Sequence, residues 1–119
     1  MAKVLVGEDD YSITELYQIF LNMGGHTVVT ATTRKEILDQ FELFEPDIVL
    51  LDIMLNGDDG REICSEIKLL NRSMKVILLS ANNHLLLNFD EYGADAAIEK
   101  PFSLKAVLNK IKELLATVT

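Results

Sequence analysis

Apolar residues along this chain follow two rhythms that alternate from end to end. Short unbroken runs, Val4-Leu5-Val6, Ile48-Val49-Leu50-Leu51 and Val76-Ile77-Leu78-Leu79, read as strands buried on both faces, the usual case in a parallel sheet. Thr27 to Ala31, rich in Val and Thr, and the short Asp95 to Glu99 add two more strands. Between the strands the spacing turns helical. Ile13, Leu16, Tyr17, Phe20 and Leu21 form one apolar face, and Ile37, Phe41 and Phe44 a second. Ile63, Ile67 and Leu70 mark a third, and a last helix turns Leu104, Val107, Leu108, Ile111, Leu114 and Leu115 inward.

Local signals set the boundaries. Ser12-Ile13-Thr14-Glu15 and Thr33-Arg34-Lys35-Glu36 read as capping boxes, and Ser103 caps the last helix. Gly24-Gly25 stop the first helix, and Pro46 blocks the second and delivers the chain to the central strand. His84 to Tyr92 predicts a short helix capped by Gly93, although Leu85, Leu86, Leu87 and Phe89 keep to no clean stripe. Three successive leucines cannot all face inward, so at least one is a candidate contact point for a partner. Five strands thus alternate with five helices. Short connections and right-handed crossovers make that an α/β three-layer sandwich around a five-stranded parallel sheet, with residues 1–119 as one domain.

Composition narrows the class. With 49 % apolar and 25 % charged residues the chain is neither disordered nor membrane-spanning. Its start is too short for a signal peptide, and a single cysteine, Cys64, reads as a part-buried thiol without an internal disulfide; both favour the cytoplasm. A net charge of −8 argues against direct nucleic-acid binding, and no zinc spacing, P-loop or dinucleotide glycine fingerprint is present.

The candidate chemistry lies at the strand ends. In a parallel sheet of this kind the C-terminal ends share one edge, where ligands bind. Glu8-Asp9 end the first strand, Asp52 the third, Ser80 the fourth, and Lys100 follows the fifth. Three carboxylates converging in a crevice repel one another and call for a cation, and hard oxygen ligands suit Mg²⁺. A carboxylate beside such a metal and an ammonium can attack phosphorus, giving an aspartyl phosphate. Ser80 could then donate a hydrogen bond to the new phosphoryl oxygens.

With Glu8-Asp9, Asp52 with Asp59-Gly60, Ser80-Ala81 and Lys100-Pro101-Phe102 in this order, the whole chain resembles the receiver domains of two-component response regulators. The resemblance implies a flavodoxin-like (βα)5 fold with Asp52 as phosphoacceptor. It also implies Asp9 as a direct Mg²⁺ ligand, Glu8 acting on the metal through water, and the Met54 backbone carbonyl completing the metal shell. Ser80 would follow the phosphoryl group, Lys100 would pair with it, and the Lys100–Pro101 bond would be cis. Asp10, one place past the acidic pair, is not expected to be a ligand. The partners implied are a sensor histidine kinase or phosphotransfer protein. Output would pass to an effector domain or partner protein through the face of helix four, strand five and helix five.

Two positions depart from the family pattern. Asn56 stands where the loop usually carries proline and should loosen that turn, and Ala97 replaces the ring that many members move inward on activation. An alternative is therefore a pure interaction module that keeps the fold without the phosphorylation. A phosphohydrolase would want a second Asp two residues after the nucleophile, where Met54 stands. His84 reads as a surface residue.

Overall fold

The structure, a computed structural model, describes residues 1–101 and 103–116. In chain order its strands are β1 (Lys3–Gly7), β2 (Thr27–Ala31), β3 (Ile48–Asp52), the two-residue β4 (Met54–Leu55) and β5 (Asp58–Asp59), β6 (Lys75–Ser80) and β7 (Ala96–Glu99). Four α-helices intervene: α1 (Tyr11–Met23), α2 (Arg34–Phe44), α3 (Gly60–Leu70) and α4 (Leu104–Ala116). Five strands form one parallel sheet in the order β2-β1-β3-β6-β7. β4 and β5 make a separate antiparallel hairpin.

The period of two along each strand divides the core in half. Leu5, Val49, Leu51, Val76 and Leu78 point to a core closed by Ile37 of α2 and Ile63 and Ile67 of α3. Val4, Val6, Ile48, Leu50, Ile77 and Leu79 point the other way, onto Tyr17, Phe20 and Leu21 of α1 and Val107 and Ile111 of α4. Helices thus cover both faces of a sheet whose central strand, β3, is buried throughout. The result is the three-layer α/β sandwich expected, with flavodoxin-like strand order. No helix among the described residues is long and apolar enough to cross a membrane.

Several local expectations are corrected. Helix α1 starts at Tyr11, and Asp10 rather than Ser12 caps it, its Oδ1 accepting from the Ser12 and Ile13 amides at 2.9 and 3.4 Å. An Asp two places earlier starts the helix before Ser12, so Ser12 lies inside the first turn and the Ser-x-x-Glu signature is displaced. Thr33 does cap α2, and the Glu36 carboxylate accepts chiefly from the Thr32 amide and hydroxyl, with a lesser bond from the Thr33 backbone. The segment predicted as a fourth helix is two 3₁₀ turns, Asn83–Leu86 and Phe89–Tyr92, interrupted by Leu87 and Asn88. Of its three leucines Leu86 is buried and Leu87 faces solvent. Leu16, Leu70 and Leu104, assigned to inner stripes, are largely exposed at 59 %, 65 % and 48 %, and Cys64 is fully rather than partly buried. Gly93 caps the second 3₁₀ turn, as expected, with φ +89°.

Between β3 and α3 the chain turns through Asn56 and Gly57, with φ of 39° and 98°. Positive φ at both central residues is what a two-residue hairpin of type I′ requires, and Asn-Gly supplies it at low cost. The expectation of a loosened turn is replaced by a defined hairpin. It brings the chain back so that the Gly60 amide donates to the Ile53 carbonyl at 2.7 Å. A β-carbon on Gly60 would lie directly against the Asp52 carbonyl oxygen and 2.9 Å from its carbon. Because backbone cannot yield as a side chain can, Gly60→Ala is expected to cost about 2 kcal/mol of stability, read as a lower urea midpoint with unchanged slope.

Candidate functional site

The C-terminal edge of the sheet carries the candidate residues. β1 and β3 are neighbours, so the residue after Gly7 and the last residue of β3 lie side by side, and both Glu8 and Asp52 are buried. Burying two carboxylates together is costly unless a cation joins them. Lys100, arriving from the end of β7, provides one. Its Nζ donates to Asp52 Oδ2 at 2.5 Å and to Glu8 Oε1 at 3.1 Å. The remaining oxygens are met by backbone amides: Met54 N–H donates to Asp52 Oδ1 at 3.0 Å and Asp10 N–H to Glu8 Oε2 at 3.2 Å.

The charges do not balance. Two carboxylates share one ammonium, and burial, reinforced by the adjacent Asp52, pushes the Glu8 carboxyl up to about 7. Burial works against the charge on Lys100, but its bond to Asp52 and the two negative neighbours outweigh that and raise its pKa. Burial, with the fields of Glu8 and Asp52, likewise lifts the Tyr17 phenol from below the site.

Asp9 stands apart from this cluster. Successive side chains at a strand end leave on opposite sides, so Glu8 turns inward and Asp9 outward. Asp9 is exposed on the lip of a depression of about 510 Å³ that it shares with Met54, Asp59 and Arg61. Among the described residues no three Asp, Glu, His or Cys side chains are gathered closely enough to hold a metal. The expected convergence of three carboxylates is thus a pair, Glu8 and Asp52, with Asp9 beside it.

Ser80 ends β6 one step beyond Leu79, the register partner of Asp52, and is buried. Its Oγ accepts from the Asn82 amide at 3.0 Å, and its carbonyl accepts from Lys100 N–H at 2.9 Å. Asn82 in turn caps the first 3₁₀ turn through His84 N–H. The Lys100–Pro101 bond is cis, and Phe102, the last residue of the motif, lies outside the described residues. Met54 lies in β4 with its side chain largely exposed. Asp10, expected not to be a ligand, is occupied as a helix cap.

One contact set escaped sequence reasoning. Asp59 caps α3 and holds the Arg61 guanidinium in a fork, at 2.7 Å to Nη2 and 3.1 Å to Nε. The same guanidinium lies 5.1 Å over the Tyr92 ring. Asp-x-Arg at a helix start is the only local signal, and nothing in it names the distant tyrosine.

Comparison with known proteins gives a consistent picture. A family model described as the response regulator receiver domain matches residues 4–112. The alkaline phosphatase synthesis transcriptional regulatory protein PhoP of Bacillus subtilis is 35 % identical over 118 residues, 95 % of this chain and 48 % of that protein. The probable transcriptional regulator ycf27 of Cyanophora paradoxa is 36 % identical over 115 residues, with the same coverage. The chain thus spans about half the length of these relatives. Among solved structures, response regulator TrrA from Thermotoga maritima in complex with Mg²⁺-BeF is 32 % identical, covering 96 % of this chain and 99 % of that one, with TM-score 0.88. A CheY-like receiver domain protein from Methanospirillum hungatei is 31 % identical, covering 98 % and 95 %, with TM-score 0.90.

The raised Glu8 carboxyl has a consequence for stability. In the unfolded chain this acid titrates near its ordinary 4.5, and in the fold near 7, so the folded state binds the extra proton between those values. Its contribution is present at low pH and is lost as pH rises through about 7. Without divalent cations, urea unfolding should therefore show about 2 kcal/mol less stability at pH 8 than at pH 5.5. In Glu8→Gln most of that difference should vanish; an unchanged difference would place the effect elsewhere.

Proposed function

The chain belongs to the response regulator receiver domain family, and from that premise we propose that Asp52 accepts a phosphoryl group from a phosphohistidine. Receiver domains are signalling domains rather than turnover enzymes. The donor is a sensor histidine kinase or phosphotransfer protein in the cytoplasm. The observation that carries the reading is the buried Asp52 at a sheet edge, with Lys100 Nζ 2.5 Å from one oxygen and the Met54 amide on the other. An Asp52 oxygen attacks phosphorus as the bond to the imidazole nitrogen breaks, and the electron pair stays on the imidazole. Lys100, already poised between two anions, lies within reach of the transferred oxygens, and its charge opposes the negative charge that builds there.

The residues suit a divalent cation. They are hard oxygen donors, and the buried pair carries more negative charge than Lys100 neutralises, as the raised Glu8 carboxyl records. Asp9 and Asp52 would hold Mg²⁺ directly, with the Met54 carbonyl, and Glu8 would act through water. When bound, Mg²⁺ neutralises phosphoryl charge and orients the incoming group. That the solved relative from Thermotoga maritima is in complex with Mg²⁺-BeF supports a divalent cation at this site.

Phosphorylation then shifts the domain between conformations that differ in partner affinity. Ala97 supplies no ring to move, and the region ahead of β7 is 3₁₀ rather than α-helical. Both observations favour an altered output at the face of that region, β7 and α4, toward an effector domain or partner protein. They leave the pocket itself intact.

Incubation with acetyl phosphate and Mg²⁺ should add one phosphoryl group to the chain, seen by intact mass. Asp52→Asn or chelation of the metal should remove the label, and Lys100→Met should slow it by about tenfold or more. Labelling that persists in Asp52→Asn, or is indifferent to Mg²⁺, would refute the assignment and leave the interaction module as the better reading.

A further inference from the structure

Helical spacing places Leu70 on the inner stripe of α3, yet Leu70 and Leu69 stand 65 % and 86 % exposed. Facing them across a groove, α2 presents half-buried Leu38 and Phe41. The groove consists of two shallow depressions of about 390 and 380 Å³ that share Glu42 and Leu70. Its apolar lining is leucine, phenylalanine, methionine and Pro46, with Asn71 at one end. Every charged residue lining it is acidic: Asp39, Glu42, Glu45 and Glu66. Lys35 holds Asp39 and Arg34 holds Glu66, whereas Glu42 and Glu45 make no ion pair among the described residues.

We propose that the groove between α2 and α3 docks an amphipathic helix of another protein, with Lys or Arg flanking its apolar stripe. Two packed helices offer a channel that a third can fill by ridge-and-groove contact. The leucines supply the buried area, and the unpaired acids select basic flanks and help set orientation. Charge excludes the other occupants. A second copy of this chain would bring acids against acids on molecules of net charge −8, and anionic lipid or nucleic acid would be repelled as well. The groove is on the sheet face away from α1 and α4, so it serves a partner other than one reading α4.

The test uses the unphosphorylated chain, isotope-labelled for NMR, with a synthetic Leu/Lys amphipathic helical peptide and its Leu/Glu counterpart. The Leu/Lys peptide should shift the amides of Leu38, Glu42, Leu69 and Leu70, and the Leu/Glu peptide should not. Leu69→Ser and Glu42→Lys, both at exposed positions, should each weaken binding about tenfold, and added salt should weaken it too. Leu16→Ser on α1 should leave it unchanged. Shifts centred on another surface, equal binding of both peptides, no binding, or indifference to Leu69→Ser and Glu42→Lys would each overturn the proposal. So would self-association of the chain that Leu69→Ser abolishes.

Discussion

A single ammonium shared by two buried carboxylates organises this molecule. Lys100 Nζ touches both Asp52 and Glu8, which come from adjacent strands, while Lys100 itself follows the far edge strand. Removing Lys100 would leave both buried carboxylates without their cation, a larger penalty than the loss of a surface ion pair. The rest of the fold places these three together. Parallel pairing brings the strand ends to one edge, and the two apolar layers lock the register. The two carboxylates leave the pocket with more negative charge than the one ammonium neutralises, and the Glu8 carboxyl answers by rising to about 7.

Most of this frame was legible because strand runs are short, apolar and bounded by polar residues. A one-residue slip in Val4-Leu5-Val6 or Ile48 to Leu51 would exchange the two cores, so the pattern leaves little freedom. The errors fall where two local signals compete or where a stripe meets no neighbour. Asp10 takes the Ser12 and Ile13 amides, so the helix already runs through Ser12 and leaves it no capping position. Leu70 obeys helical spacing but is the last residue of α3 and stands largely exposed. Leu16 and Leu104 line one depression together with Pro101 rather than sitting in the core. In the site, residue identities could be read in order, but not that Glu8 points in and Asp9 out. That distinction depends on the rotation of the chain as it leaves β1.

The segment from Ala81 to Asp95 has its own physical logic. Its leucines are consecutive rather than spaced by three or four, so no α-helix could bury them together. Two 3₁₀ turns bury Leu86 and tuck Leu85 and Phe89 against the α2–α3 core. The second turn is fastened to α3 at several points. Ser65 donates to the Tyr92 carbonyl, Arg61 lies over the Tyr92 ring, and the Lys68 chain passes beside Gly93 before its Nζ meets Asp95. The loop after Asp52 feeds directly into α3 through Asp59 and Gly60. A continuous set of contacts therefore joins the pocket loop to the region ahead of β7 without the ring that Ala97 lacks.

Ser80 shows why a structural and a functional role need not compete. Its hydroxyl accepts from the Asn82 amide, which by itself would read as an ordinary turn-capping serine. A hydroxyl has two acceptor lone pairs and one proton, so accepting from Asn82 leaves that proton free to be donated. Meanwhile the Ser80 carbonyl holds the Lys100 amide, fixing the backbone from which the lysine side chain extends. A shift of Ser80 toward a newly formed anion would thus draw on two bonds at once: one to the residue that caps the first 3₁₀ turn, the other to the residue bearing the site's cation. Both lie on the side of the domain where the fold departs most from the pattern expected of it, and both tie Ser80 to backbone amides rather than to an aromatic side chain.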